Sequence, residues 1–191
     1  MSKNRMEAFS DGVLAVIITI MVLNLSVPPN ADFESLRQLF PKFMSYLLSF
    51  VFLGIYWSNH HHLLQAIKHV DGRVLWANLH LLFWLSLTPF VTGWIGESHF
   101  AALPVALYGG LLFLAAIAYF ILARALISLH GRESVLATAL GRDFKGKISI
   151  VMYGVAIPLA FFVPLYSCSL YVLVAIIWLL PDRRIEGLLK E

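Results

Sequence analysis

Apolar residues run almost unbroken through about 8–27, 39–60, 74–96 and 100–124, and again from Ile148 to Leu180. Polar and charged residues collect in the segments between these runs. A helix that crosses a bilayer needs roughly 20 mainly apolar residues, and each of the first four runs is of that size. The last is too long for one crossing: at about 1.5 Å per residue it reaches roughly 50 Å, against a hydrocarbon core of about 30 Å. Pro158 and Pro164 interrupt it, and Ser167, Cys168 and Ser169 follow. This pattern predicts a hairpin of two short spans turning near Pro164 to Ser169. The expectation is an all-α integral membrane protein with six transmembrane helices.

Composition agrees with that class. Hydrophobic residues make up 60% of the chain and charged ones 13%, with a mean hydropathy of +0.80; soluble domains carry nearly twice that share of charge. All but Arg37 and Lys42 of the 14 Lys and Arg residues fall on one side of a six-span arrangement. By the positive-inside rule that side is cytoplasmic, and it holds both termini and the basic 124–147 loop. The net charge of +3 and the pI near 9.1 therefore read as topology signals, not as a nucleic-acid surface. The 124–147 loop can carry a short interfacial helix. No internal repeat divides the chain, so residues 1–191 form a single six-span domain with short termini. The single cysteine, Cys168, can form no intrachain disulfide. The first apolar run, preceded by Asp11 and lacking a small-x-small cleavage site, reads as a retained span and not as a signal peptide.

Polar residues around the first span need an explanation. Val13, Val16, Ile20, Leu23 and Val27 are spaced three or four apart and form one stripe, flanked by Thr19. Structurally, such a helix is simply packed, with Thr19 bonding back to the Ala15 carbonyl, Arg5 snorkelling, and Ser10 or Asp11 capping the helix start. Functionally, Arg5, Ser10 and Asp11 start a fixed polar network. The end of span two, "YWSNHHHLLQ", and the start of span three, "RVLWANLHLL", lie at the same membrane face. They bring Trp57, His60, His61, His62, Trp76, Asn78 and His80 to similar depth. Trp57 and Trp76 suit interface anchoring. Asn78 and His80 lie inside a span and need protein partners.

The three consecutive histidines invite a metal centre. A helix turns His60, His61 and His62 in three directions, so they do not jointly ligate one ion, and no second His box follows. No metal site or cofactor is expected. A carbonyl-lined filter loop, an arginine-rich voltage sensor and a nucleotide-binding loop are also missing.

The string Arg5-x-x-x-Phe9-Ser10-Asp11-Gly12 at the head of a first span resembles the RxxxFSD signature of the transmembrane protein 175 family. The likeness continues through "FSDGVLAVIITIMVLNLSVP", an apolar helix with a Thr and a closing Val-Pro. Total length and the six-span plan resemble the prokaryotic, single-repeat form. The animal member of this family is an endolysosomal potassium channel. The resemblance implies a homotetramer in a prokaryotic plasma membrane, with four first helices around a central pore. It places the aliphatic constriction at Val16, Ile20 and Leu23, with Thr19 beside it; Val16 stands where a larger Ile is usual. The function implied is a potassium-preferring cation channel, not an enzyme, with permeant K+ and no cofactor. Two other readings stay open. One is a proton-coupled or proton-conducting transporter using Asp11 and the histidines; the other is a metal-dependent membrane enzyme, for which the ligand set is incomplete.

Overall fold

Two aspartates start helices by the same device. The Asp32 carboxylate accepts from the Ser35 backbone N–H at 2.7 Å and the Asp71 carboxylate from that of Val74 at 2.9 Å; each caps N–H groups that have no partner within the helix. Prolines mark other starts, because the first helical turn needs no proline N–H. Pro41, Pro89 and Pro164 all stand within a first turn. The computed structural model describes residues 2–131, 134, 136–137 and 144–179. Its helices are α1 (Lys3–Leu23), α2 (Phe33–Gln38), α3 (Phe40–Gln65), α4 (Gly72–Ser86), α5 (Thr88–Glu97), α6 (Ala102–His130), α7 (Phe144–Leu159) and α8 (Pro164–Leu179).

Helices α4 and α5 are interrupted only at Leu87. Pro89 lacks the N–H that would continue the ladder, and its ring crowds the carbonyl four residues back. Among the described residues, four stretches are long and apolar enough to cross a membrane: Lys3–Leu23, Phe40–Gln65, Gly72–Glu97 and Ala102–His130. The described parts of α7 and α8 have 16 residues each, about 24 Å.

Several boundaries differ from the sequence expectation. Helix α1 begins at Lys3 with Ser2 at its N-cap position, so Ser10 and Asp11 lie within the helix and cap nothing. It ends at Leu23, where the Asn24 amide donates to the Pro89 carbonyl at 3.2 Å; Val27 falls beyond the helix and off the stripe. The hairpin turns at 160–163, ahead of Pro164, because that proline opens α8. Ser167, Cys168 and Ser169 are therefore helical, and the buried Ser167 hydroxyl donates to the Ala156 carbonyl at 2.9 Å, tying α8 to α7. The 124–147 segment is not all connection, since α6 continues through His130 and stops at Gly131 with φ 90°. Most of the expected interfacial helix lies outside the described residues, as do Arg183, Arg184 and Lys190.

Packing is organised around α6, which lies against α4, α5, α7 and α8, while α1 lies against α3, α4 and α5. Buried small residues on α6 (Ala115, Ala118 and Ala123) let neighbouring backbones approach, the usual way helices pack in lipid. At Gly109 an added Cβ would collide with the Tyr171 phenol. That phenol instead reaches the Val105 carbonyl, donating at 3.1 Å.

Candidate functional site

The two sides of α1 differ sharply. Met6, Ser10, Leu14, Ile17 and Met21 recur every three or four residues and are buried against the bundle. Phe9, Val16, Ile20 and Leu23 lie on another face and are 52%, 56%, 44% and 79% exposed. At about 100° per residue the centres of these two stripes are roughly 110° apart around the helix. Thr19 is exposed beside Ile20, and its hydroxyl donates to the Val16 carbonyl at 2.8 Å. The acceptor is thus Val16 and not Ala15: the side chain reaches back three residues, not four. Hydrogen bonding of this kind leaves the Thr19 oxygen able to accept from the uncovered side.

Toward its N-terminus, the buried face of α1 carries a polar chain. His60 Nε2 lies 2.7 Å from Asn78 Oδ1, Asn78 Nδ2 donates to Ser10 Oγ at 2.9 Å, and Ser10 Oγ donates to the Met6 carbonyl at 2.8 Å. Since Asn78 Oδ1 can only accept, His60 carries its proton on Nε2. Ser10, Asn78 and His60 are all nearly inaccessible, so these bonds form in a medium where an unpaired polar atom is costly. The chain links α1, α3 and α4.

A second, outer set surrounds it. Asp11 accepts from Trp57 Nε1 at 3.0 Å, and the Trp57 ring stacks on His61 with centroids 6.0 Å apart. His61 Nδ1 lies 3.1 Å from a Glu7 carboxylate oxygen, and its Nε2 lies 2.7 Å from Gln65 Nε2. Glu7 belongs to the same polar helix entry as Arg5, Ser10 and Asp11 in the sequence, and its pairing with His61 comes from the structure alone. Among the described residues no side-chain hydrogen bond of His62 occurs, and its ring lies 6.1 Å from that of His61. His80 turns along its own helix and accepts from Trp84 Nε1 at 2.9 Å. Phe9 and Arg5 are exposed, and no side-chain hydrogen bond or ion pair of Arg5 occurs among the described residues. The structure thus gathers Ser10, Asn78 and His60 in one chain and Asp11, Trp57 and His61 in another. Arg5, Phe9, His62 and His80 stand outside both within one subunit. The adjacent His60 and His61 turn to different neighbours, Asn78 and Glu7.

At the opposite end of α1, the Thr92 hydroxyl of α5 lies 3.9 Å from Met21 Sδ, and Ser49 of α3 links Thr92 to Tyr108 of α6. Ser49 Oγ is 2.7 Å from Thr92 Oγ1 and 3.0 Å from the Tyr108 hydroxyl, all three buried. Gly93 leaves room for the Asn24 side chain, 3.3 Å from where a Cβ would stand. Both ends of α1 are therefore pinned on one side, while its aliphatic stripe stays largely exposed.

An all-helical bundle with four described helical stretches long and apolar enough to cross a membrane, its first helix fixed on one face and exposed on another, defines a helical membrane protein. The comparisons with known proteins name the group: the chain belongs to the TMEM175 family. Residues 5–89 match the family described as "Endosomal/lysosomal potassium channel TMEM175". A protein of Chryseobacterium sp. (strain P1-3), named a potassium channel, is 56% identical over 191 residues, the full length of both chains. The zebrafish (Danio rerio) protein named "Endosomal/lysosomal proton channel TMEM175" is 30% identical over 135 residues, 68% of this chain and 25% of that protein. A crystal structure described as a lysosomal potassium-selective channel TMEM175 homolog, from Chamaesiphon minutus, superposes with a TM-score of 0.80 at 28% identity. It covers 94% of this chain and 97% of that one.

Proposed function

We propose that this chain is a potassium-preferring cation channel whose pore is lined by α1 from a homotetramer. The observation that carries this reading is the two-sidedness of α1: one face locked into the bundle, the other an uncovered row of Val16, Ile20 and Leu23. Six spans per subunit (α1, α3, α4 with α5, α6, α7 and α8) form one domain over residues 1–191. Both termini face the cytoplasm of a prokaryotic cell, in keeping with the distribution of Lys and Arg. The full-length Chryseobacterium relative, named a potassium channel, supports the permeant ion.

Four copies of the stripe around an axis make stacked aliphatic rings at Val16, Ile20 and Leu23. A narrow apolar neck resists ions that hold their water tightly. Potassium sheds water more readily than sodium, which yields a preference without a carbonyl cage. Thr19 adds a ring of oxygens beside the neck. Ser10, Asn78 and His60 hold the helix at the depth where these rings align, and Arg5, Phe9 and Asp11 face the neighbouring subunit or the lipid headgroups.

The vertebrate relatives' name keeps a proton pathway in view as the alternative. The buried chain argues against a relay through it, because it ends on the Met6 carbonyl, which cannot pass a proton on. Asp11 is bonded by Trp57 Nε1, which only donates. Recording from purified protein in a planar bilayer under opposed potassium, sodium and proton gradients tests the reading. A reversal potential near the potassium value supports it. Reversal that follows the proton gradient and ignores potassium overturns it in favour of the alternative.

A further inference from the structure

On the side of the bundle away from α1, a cavity of about 140 Å³ opens between α3, α6, α7 and α8. No residue of α1 lines it, so it is separate from the proposed pore. Its walls are almost wholly apolar and strongly aromatic: Phe52, Tyr56, Tyr119, Tyr153 and Trp178 surround it, with Ala116 at its wall. Tyr119 and Trp178 meet edge to face with centroids 6.3 Å apart, and Trp178 Nε1 donates to Ser149 Oγ at 2.8 Å. The polar groups Asn59 and Lys147 lie toward one end, which is the end of α3 and the start of α7. From Phe52 to Asn59 the α3 wall rises about 10 Å along the helix.

An apolar cavity of this size stays dry and takes an apolar guest about as large as benzene. In a bilayer the available guest is hydrocarbon. Lys147 is exposed at the polar end, where a long cationic side chain reaches the headgroup layer and attracts anionic lipid. We propose that this cavity is a binding site for an anionic phospholipid of the leaflet on the Lys147 side. A section of one acyl chain lies among Tyr56, Tyr119, Tyr153 and Trp178, and the phosphate is held at Lys147.

Trp178 is a reporter built into the wall. The protein is reconstituted into phosphatidylcholine vesicles containing a fixed fraction of phosphatidylglycerol, with dibrominated chains on one lipid or the other. The Trp178 signal is isolated by difference from Trp178→Phe. Expected is several-fold stronger quenching by brominated phosphatidylglycerol than by brominated phosphatidylcholine at equal mole fraction. Ala116→Phe fills the cavity and should abolish the phosphatidylglycerol-specific quenching. Lys147→Gln, at an exposed position that leaves the fold intact, should bring the two lipids to parity while hydrocarbon quenching persists. Equal quenching by both lipids in the unsubstituted protein, or a preference untouched by Lys147→Gln, would overturn the proposal. Potassium recordings play no part in this readout, so its failure leaves the channel reading standing.

Discussion

Asn78 is the residue on which the buried polar chain turns, because its amide donates at one end and accepts at the other. Asn78→Ala strands the His60 N–H in a buried site, and each polar group so orphaned costs about 1–3 kcal/mol. Ser10→Ala removes only one acceptor from Asn78 and should cost less. Because the three side chains act in one chain, the Asn78→Ala and His60→Ala losses should fall short of adding in a double-mutant cycle. Thermal unfolding of the purified protein reads all three; strict additivity would mean that Asn78 and His60 are not coupled. The participants were readable in the sequence as polar residues within spans. Which of the three histidines turns inward was not, since a 100° step per residue guarantees only that they diverge. The reach of Ser10 back to Met6 and the partnership of Glu7 with His61 depend on helix packing that no local pattern encodes.

At the scale of the element, α1 presents two different faces, one buried and one exposed. Ile17 is 3% exposed and Ile20 is 44% exposed, although they stand only three residues apart. Ile17→Ala empties a packed site and should cost about 2–5 kcal/mol of stability, seen as a lower unfolding temperature with little change in conductance per assembled channel. Ile20→Ala should leave that temperature nearly unchanged and raise single-channel conductance. The reverse pattern would mean that the other face of α1 lines the pore. The apolar run made the helix legible, but lipid and pore both accept apolar side chains, so only packing distinguishes its faces. Proline shows the same limit. Pro164 was readable as a break, yet it opens α8 and pushes the turn back to 160–163. Pro89 divides the third span at Leu87, and that interruption is hidden in hydropathy because both halves are equally apolar.

For the whole molecule, the question is what surrounds the exposed stripe and the exposed Arg5. If neighbouring subunits supply the contacts, Arg5→Ala and Asp11→Ala should lower the fraction of intact tetramer in mild detergent, measured by native mass spectrometry. Full assembly with altered flux would assign Asp11 a direct part in permeation. In the proposed tetramer, fourfold repetition would also make the stripe sensitive to single changes, since each substitution would alter a complete ring. Ile20→Asn both shortens the apolar neck and wets it, so it should raise conductance and sodium permeation more than Ile20→Ala does; Leu23→Ala should act in the same direction more weakly, being nearer the open end of the helix. Mixing Ile20→Asn and unsubstituted subunits before assembly sharpens the test. Around a shared axis, conductance should rise in discrete steps with the number of variant subunits, and sodium permeability should rise with it. If each subunit instead held its own conduit, mixed assemblies would show only the two parental conductances, side by side, in single-channel recordings. Graded levels therefore bind the residue, the helix and the assembly into one measurement.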